Sequence, residues 1–256
     1  MLTVLKIGGN VIDNPALLQT VLQDFAQIEG DKILVHGGGK IASELSKKMG
    51  IVPQMVEGRR ITDEATIDVV TMVYAGLLNK KVVAQLQKNN CNALGLSGAD
   101  ANVIQARKRP VKTIDYGFVG DLDASSIQVD FLKNLLENGI TPVFSAITHD
   151  KNGLLLNTNA DTIASSIARA MAQSTETRLI FCFEKKGVLL NIEDENSFIP
   201  EINFTQYQEL KSKGIIFEGM IPKLDNAFES IAQGVKQVIL CNPENILTLK
   251  EKTVLA

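Results

Sequence analysis

The sequence predicts an α/β fold built around a mainly parallel sheet of about eight strands. Two observations predict it: short runs rich in β-branched residues recur along the chain, and longer segments with apolar residues at helical spacing separate them. Strands that alternate with helices are typical of parallel sheets, because a helix must carry the chain back between neighbouring parallel strands. With 256 residues, 45% of them hydrophobic, the chain can bury a substantial core.

The strand candidates are short apolar runs that end near glycine or polar residues. The principal ones are residues 2–7, 32–35, 93–96, 141–144, 179–183 and 238–240. Hairpin pieces near Ile61 and over residues 117–122 bring the predicted sheet to about eight members.

The helix candidates each present one apolar face. In residues 13–28, Pro15 falls in the first turn, where proline is tolerated, and the residues on the apolar face are Leu17, Leu18, Val21, Leu22 and Phe25. Similar periodicity predicts helices over residues 41–49, 64–89, 130–138 and 161–171, and a last helix after Pro222.

No linker rich in glycine, serine or proline divides the chain, so residues 1–256 are predicted to form a single domain. Any two lobes would share a continuous sheet or a tight junction. The polar stretch 172–178 lacks the periodicity of a core element and is the best candidate for a crossing point, which gives lobes of residues 1–172 and 173–256.

Charge and composition exclude several classes of function. A net charge of −3 provides no excess of cations for binding a nucleic-acid backbone. No apolar run approaches the roughly 20 residues that span a bilayer, so we expect a cytoplasmic protein without a membrane partner. The odd number and wide spacing of the three cysteines favour reduced, buried thiols over disulfides or a zinc site; they are Cys91, Cys182 and Cys241.

Two glycine-rich turns follow predicted strands and precede predicted helices, at residues 6–10 (KIGGN) and 35–39 (VHGGG). Bare backbone amides at such a turn can bind an anion, and Lys6 adds a positive charge. Neither turn is a Walker A loop, and either one alone could be an ordinary connection. Because the carboxyl ends of parallel strands share one edge of a sheet, we expect the pair to hold phosphates on one turn and a carboxylate on the other.

Histidine chemistry is not favoured. His36 enters a turn from a buried strand, where a packed and hydrogen-bonded imidazole is more common than a general base, and His149 lies in a polar loop. Of the two adjacent arginines, Arg60 is the candidate for gripping a carboxylate through two parallel hydrogen bonds, and Arg59 is expected to be solvated.

Two further segments carry candidate site residues. In residues 157–161 (NTNAD), Asn159 or Asp161 could simply cap the following helix, or the row could hold a substrate and fix lysines. Lys223 falls in the first turn of a predicted helix, where the helix dipole disfavours a cation. Helix stability does not explain a lysine there, whereas contact with a phosphate does.

Read in order, KIGGN, VHGGG, GRRIT, NTNAD and GMIPK resemble the amino acid kinase family over essentially the whole chain, and within it the branch that acts on N-acylated glutamate. The resemblance implies a three-layer α/β/α sandwich. It places the acylated amino acid and a dimer contact in the lobe formed by residues 1–172, and ATP with Mg²⁺ in the lobe formed by residues 173–256.

The resemblance also implies roles for individual residues. Lys6 and Lys223 would neutralise the migrating phosphoryl group, and Asp161 would orient them. Substrate binding falls to Gly38 and Gly39 at the accepting carboxylate, and to Arg60 and Asn157 at the α-carboxylate. ATP contacts beyond the two lysines fall to Gly8, Gly9, Asn159, Glu184, Gly187, Val188 and Leu189.

The implied activity is ATP-dependent phosphorylation of the γ-carboxylate of N-acetyl-L-glutamate, the second step of arginine biosynthesis. Such a carboxylate is ionised at pH 7 and needs no general base, and Mg²⁺ would be held mainly by ATP phosphates and water, with no protein metal ligand. Because the first strand begins at residue 2, the chain resembles the dimeric members that arginine does not inhibit.

Three alternatives stay open at this stage. The acyl group could be succinyl, with Arg59, Arg107 or Lys112 as partners for the extra carboxylate. The acceptor could be that of another kinase of the superfamily, namely aspartate, glutamate, carbamate or UMP. The fold could also serve as a non-catalytic nucleotide sensor. The segment at residues 183–189 (FEKKGVL) departs from the family's usual aspartate and carries a lysine pair, which weakens the assignment of adenine contacts.

Overall fold

An eight-stranded sheet forms the centre of the protein, and short hairpins lie outside it. The computed structural model describes residues 1–56, 59–216 and 220–255, and of Pro222 it describes the backbone. The strands are β1 (Leu2–Ile7), β2 (Lys32–His36), β3 (Gln54–Val56), β4 (Arg59–Ile61), β5 (Ala93–Leu96), β6 (Arg107–Lys108), β7 (Gly120–Asp121), β8 (Thr141–Phe144), β9 (Ile147–His149), β10 (Leu155–Asn157), β11 (Thr177–Cys182), β12 (Glu201–Ile202), β13 (Gln237–Cys241) and β14 (Thr253–Leu255).

Helices connect these strands. They are α1 (Gly9–Asp13), α2 (Pro15–Gln27), α3 (Gly39–Lys48), α4 (Glu64–Thr71), α5 (Asn79–Lys88), α6 (Val129–Glu137), α7 (Ala160–Ala172), α8 (Phe204–Ser212) and α9 (Ile221–Ala232). A π-helical segment, Met72–Leu78, joins α4 to α5, and 3₁₀ turns cover Asp100–Asn102 and Pro243–Asn245. Among the described residues, no helix is both long enough and apolar enough to cross a bilayer.

The strand order in the sheet is β12-β14-β13-β11-β1-β2-β8-β5. The six strands from β13 to β5 pair in parallel, whereas β14 runs antiparallel to β13 at one edge and β12 pairs in parallel with β14. The mainly parallel α/β fold is therefore confirmed, and β1 lies between β2 and β11 at the middle of the sheet.

The predicted number of strands is confirmed, but two predicted members are wrong. The pieces near Ile61 and residues 117–122 form separate antiparallel ribbons, β3 with β4 and β6 with β7. The edge places belong instead to β12 and β14, which have two and three residues. Runs this short show no periodicity, because burial alternates over too few positions to be read from the sequence.

Helices cover both faces of the sheet. Successive residues of β1 point to opposite faces, and Leu2, Thr3, Val4 and Leu5 all have no exposed surface. Helix α7 packs on β1 and β11, α9 packs on β13, and α5 and α6 pack on β8. The three-layer α/β/α arrangement follows from this burial, which also explains why the strands read as continuous apolar runs.

The helix predictions are confirmed in outline and refined at their ends. Asn14 caps α2 by accepting a hydrogen bond from the Leu17 amide at 3.1 Å, and Pro15 takes the first helical position. The sequence did not separate the five-residue α1 from α2, nor the π-helical segment from its flanking helices. The three cysteines are free and buried, as expected.

A buried hydrogen-bond chain ties the second glycine turn to the core. His36 has no exposed surface; its Nδ1 lies 2.9 Å from the Gly37 carbonyl oxygen, and its Nε2 lies 3.1 Å from Asn79 Nδ2. The Asn79 amide also donates to the Val143 carbonyl at 2.9 Å. His36 is therefore a packed residue of the core, protonated on Nδ1, and it joins β2, β8 and α5.

Burial lowers the pKa of His36 to about 4, whereas a histidine in the unfolded chain titrates near 6.5. As the pH falls, the unfolded chain binds the proton first, so the stability present above pH 6.5 is lost progressively down to pH 4. Between these limits we expect the free energy of unfolding to fall by about 3 kcal/mol more in the wild type than in His36→Gln.

Urea unfolding at a series of pH values measures this difference. His149→Gln is the matched control for losing an imidazole outside the buried hydrogen-bond chain; His149 was predicted in a loop but is the last residue of β9. If the free energy of unfolding had the same pH dependence in the wild type and in His36→Gln, the lowered pKa of the buried His36 would be contradicted.

Candidate active site

Three charged residues from distant parts of the chain meet at the carboxyl edge of the sheet. Lys6 lies near the end of β1, Asp161 in the first turn of α7, and Lys223 in the first turn of α9. The Lys6 ammonium lies 2.8 Å from Asp161 Oδ1, and the Lys223 ammonium donates to Asp161 Oδ2 at 2.9 Å. The side chains are between 13% and 20% exposed, so the cluster is largely shielded yet open to a ligand.

The charges in this cluster do not balance. Burial by itself raises the pKa of Asp161, but the two ammonium groups outweigh it and lower that pKa to about 2. Burial lowers the pKa of Lys223, an effect that Asp161 opposes. Two cations sharing one carboxylate leave a net positive charge in a partly buried place, which an anionic ligand would neutralise.

Two aromatic rings flank Lys223. Its ammonium lies 5.1 Å from the centre of the Phe181 ring and 5.8 Å from that of Phe183. Sequence analysis did not identify this contact. The signal was present in the alternation at the end of β11, because residues two apart on a strand share a face.

The first glycine turn packs closely against β11. The Gly8 amide donates to the Cys182 carbonyl at 3.0 Å, and a Cβ on Gly8 would lie only 3.3 Å from that oxygen. Helix α1 begins at Gly9 without a capping bond from a side chain. The Asn10 amide contacts the Glu184 carboxylate, which brings the FEKKGVL segment beside the turn.

The second glycine turn needs glycine for two reasons. Gly38 has φ of 151°, and a Cβ there would lie 2.2 Å from Leu78 Cδ1 and 3.2 Å from Tyr74 Cδ1. Both neighbours belong to the π-helical segment. Helix α3 begins at Gly39, with Gly38 as an N-cap that makes no side-chain bond, so the first amides of α3 have no side-chain cap.

Arg60 reaches this same turn from β4. Its Nη2 donates to the Gly39 carbonyl at 2.8 Å and to Ser43 Oγ at 2.7 Å. Its Nη1 is buried and has no hydrogen-bond partner among the described residues. A buried guanidinium nitrogen without a partner is costly, so its position favours an anionic ligand. Arg59 is exposed, as predicted.

The NTNAD segment divides between capping and the site. Asn159 Oδ1 accepts hydrogen bonds from the backbone amides of Asp161 and Thr162 at 2.7 and 3.1 Å, so Asn159 is the N-cap of α7. Asp161 is left to hold the lysines. The Asn157 amide donates to Thr62 Oγ1 at 3.1 Å, and that hydroxyl donates to the Arg60 carbonyl at 3.2 Å, which places Asn157 beside Arg60.

Sequence analysis also missed Tyr74. A Cβ built on Gly39 would lie 3.8 Å from both the Tyr74 hydroxyl and Arg60 Nη2, so the phenol, the guanidinium and the turn surround one place. Burial raises the pKa of Tyr74, which Arg60 partly opposes, and the phenol stays neutral. The π-helical segment that presents Tyr74 has no signature in the hydrophobic pattern, which explains the omission.

The FEKKGVL segment borders an apolar cavity, and Phe183, which lies near the Lys223 ammonium, is part of its wall. Gly187 is required there, because a Cβ would lie 2.2 Å from Thr253 Oγ1, and Val188 donates its amide to that hydroxyl at 2.8 Å. The residues lining the cavity are Phe183, Lys185, Gly187, Val188, Leu189, Ile192, Ile215, Ile216 and Met220.

The lysine pair of this segment forms ion pairs, and Lys185 also lines the cavity. Lys185 pairs with Glu195 at 3.1 Å and Lys186 with Glu251 at 2.8 Å.

Other candidates lie apart from this cluster. Arg107 pairs with Asp123 and is 77% exposed, and Lys112 is exposed. Within the described parts of the chain, no group of three or more His, Cys, Asp or Glu side chains could hold a metal ion. Gly58 and Gly219, which belong to the GRRIT and GMIPK motifs, lie outside the described residues.

Comparisons with known proteins identify the family. The sequence profile of the amino acid kinase family matches residues 1–242. An acetylglutamate kinase of Cytophaga hutchinsonii is 55% identical over 256 residues, covering 99% of this chain and 96% of that protein. An acetylglutamate kinase of Parabacteroides distasonis is 52% identical over 245 residues, covering 96% of this chain and 95% of that protein.

A solved structure shares the fold at low sequence identity. N-acetylglutamate synthase of Neisseria gonorrhoeae, in complex with coenzyme A and N-acetyl-glutamate, superimposes with a TM-score of 0.83 at 18% identity, covering all of this chain and 59% of that one. The profile match and the curated relatives both span nearly the whole sequence. The chain belongs to the amino acid kinase family.

Proposed function

We propose that this protein transfers the γ-phosphoryl group of ATP to the side-chain carboxylate of N-acetyl-L-glutamate, the second step of arginine biosynthesis. The observation that carries the proposal is the pair of ammonium groups, Lys6 and Lys223, held on the two oxygens of Asp161. The curated relatives, named acetylglutamate kinases and about half identical over nearly the full chain, support the choice of acceptor.

The charge of the cluster suits phosphoryl transfer. The migrating group spreads negative charge over its oxygens, so catalysis depends on positioning and on fixed positive charge. Asp161 keeps both lysines charged and in place, and it stays ionised because its pKa is about 2. The lysines are the groups that would contact the phosphoryl oxygens, while Asp161 acts through them.

The acceptor would bind at the second glycine turn. The backbone of Gly38 and Gly39 would hold the reacting carboxylate, and the buried Nη1 of Arg60 would pair with the α-carboxylate together with Asn157. The reacting carboxylate is ionised at neutral pH, so the mechanism needs no general base. The neutral, buried His36 agrees with that expectation.

ATP would bind on the other side of the lysines. The Gly9 amide would bind the phosphates, while the Gly8 amide holds the turn on the Cys182 carbonyl. Asn159 has its NH₂ group left for the phosphates after capping α7. Both oxygens of Asp161 are engaged by lysines, so Mg²⁺ would be bound by ATP phosphates and water, where it would neutralise phosphate charge.

The base of ATP would enter the apolar cavity. Gly187, Val188 and Leu189 line this cavity, and Glu184 lies at the side of the first glycine turn through its contact with Asn10. In this proposal residues 1–172 bind the acceptor and residues 173–256 bind ATP. A homodimeric assembly and a cytoplasmic location belong to the same proposal.

The acceptor can be tested with four compounds: N-acetyl-glutamate, N-succinyl-glutamate, free glutamate and aspartate. We expect N-acetyl-glutamate to give the highest kcat/KM, with free glutamate and aspartate lower by about 100-fold because they leave the acyl site empty. Coupled ADP release measures each rate. Preference for N-succinyl-glutamate would revise only the identity of the acyl group. Preference for an unacylated acceptor would refute the assignment to the kinases that act on N-acylated glutamate.

Lys223→Ala should lower kcat by about a thousandfold, since the variant removes one of two cations at the migrating group. Lys213→Ala is the matched control, because Lys213 is 63% exposed on the surface and should turn over normally. Circular dichroism checks that both variants fold. Normal turnover by folded Lys223→Ala would defeat the proposed mechanism, whereas absence of turnover in the wild type would favour the nucleotide sensor.

Arg60→Ala should raise KM for the acceptor by about 10- to 100-fold and change kcat less, because Arg60 binds a part of the substrate that does not react. Arg59→Ala, one position away and exposed, provides the control and should leave KM unchanged. Initial rates over a range of acceptor concentrations separate the two constants. An unchanged KM in Arg60→Ala would place the α-carboxylate elsewhere.

A further inference from the structure

The Lys223 ammonium is held by more than its carboxylate partner. It lies 5.1 Å from the ring centre of Phe181 and 5.8 Å from that of Phe183. Phe181 lies on β11, and Phe183 follows directly after that strand. Residues two apart in an extended chain share one face, so both rings project from the same face. Phe181 is in register with Lys6 on β1, so Lys6 projects from that face as well.

This lysine is poorly stabilised by its other surroundings. It lies in the first turn of α9, where the helix dipole repels a cation. The charged groups that act on it are Asp161 from α7, Lys6 from β1 and Glu184 after β11. Asp161 is shared with Lys6, and Glu184 is engaged by Asn10. Aromatic faces carry negative partial charge. The two rings therefore attract the Lys223 ammonium in addition to Asp161 and Glu184.

The two rings differ in what else they do. Phe181 has no exposed surface and is part of the sheet core. Phe183 is half-buried and also lines the apolar cavity beside Lys223, together with Val188 and Met220. Met220 is the N-cap of α9, the helix that carries Lys223. Phe183 therefore contacts both the proposed base site and the lysine.

We propose that Phe183 is a positioning residue for phosphoryl transfer: its ring face holds the Lys223 ammonium at the migrating group and links that position to occupancy of the apolar cavity. The inference rests on the proposed function, since it requires Lys223 to contact the phosphoryl group. A ring that only filled the cavity wall would affect ATP binding and stability but not the charge or placement of Lys223.

Phe183→Leu should lower kcat at saturating ATP and acceptor by about 3- to 30-fold, the range that corresponds to one cation–π contact. Phe183→Tyr retains an aromatic face and should restore kcat to near the wild-type value. Phe204→Leu is the matched control: Phe204 is 56% exposed on α8 and should leave kcat unchanged.

Fluorinated phenylalanines at position 183 provide a second series that keeps the shape of the ring. Mono-, di- and trifluoro-phenylalanine weaken the negative face step by step, so log kcat should fall with each added fluorine. This series remains informative if Phe183→Leu folds poorly.

The pH profile gives a readout that a purely structural role would not move. The ring stabilises the charged lysine, so its loss should shift the alkaline limb of kcat to lower pH in Phe183→Leu. Wild-type kcat and pH profile in that variant, or no response to fluorination, would overturn the inference. If Lys223→Ala still abolished turnover, the proposed function would stand without the role of Phe183. Normal turnover in Lys223→Ala would refute both the proposed function and the role of Phe183.

Discussion

The Asp161 carboxylate between two ammonium groups is the interaction on which the rest of the site depends. Its two oxygens bind Lys6 at 2.8 Å and Lys223 at 2.9 Å, and so connect the first strand with a helix near the other end of the chain. Without Asp161, the two like charges would repel each other in a partly buried place. The arrangement is therefore stable as a triad and carries a positive charge that phosphate oxygens can satisfy.

The fold supplies the positions that this triad needs. Parallel strands bring their carboxyl ends to one edge, and β1 lies at the middle of that edge, between β2 and β11. Each of the first two strands ends in a glycine turn, one against β11 and the other against the π-helical segment. The close approach at Gly38 excludes a side chain, which leaves bare main chain at the second turn, and the approach at Gly8 is tight.

Much of this could be predicted from the sequence. Short apolar runs bounded by polar residues can be read from the sequence, so β1, β5 and β8 match their predicted bounds. Lys223 was identified because local structure explains a lysine at a helix start poorly, whereas the roles of Lys6 and Asp161 followed from the resemblance to the family's motifs. Pairing partners of short strands were not predictable, since a run of two or three residues holds too little pattern.

The residues that sequence analysis missed act through tertiary contacts. Tyr74 reaches the second glycine turn from the π-helical segment, and Phe181 and Phe183 reach Lys223 from β11 and the residue after it. In a linear sequence, these residues are ordinary apolar positions. The dual role of the NTNAD segment was also beyond the sequence, because capping by Asn159 and ion pairing by Asp161 separate only in three dimensions.

The wider turns between α4 and α5 have a consequence for how this chain tolerates changes in length. Seven residues, Met72–Leu78, take up extra chain before the helix resumes at Asn79. Because π-helical turns hold more residues than α-helical ones, deleting one residue there would leave an ordinary α-helix with Asn79 in nearly the same direction. Asn79 would keep its contact with His36. The change would fall on the segment itself, where Tyr74 and Leu78 now pack against Gly38. A single-codon deletion in this segment would thus spare the core contact and alter the wall of the second glycine turn.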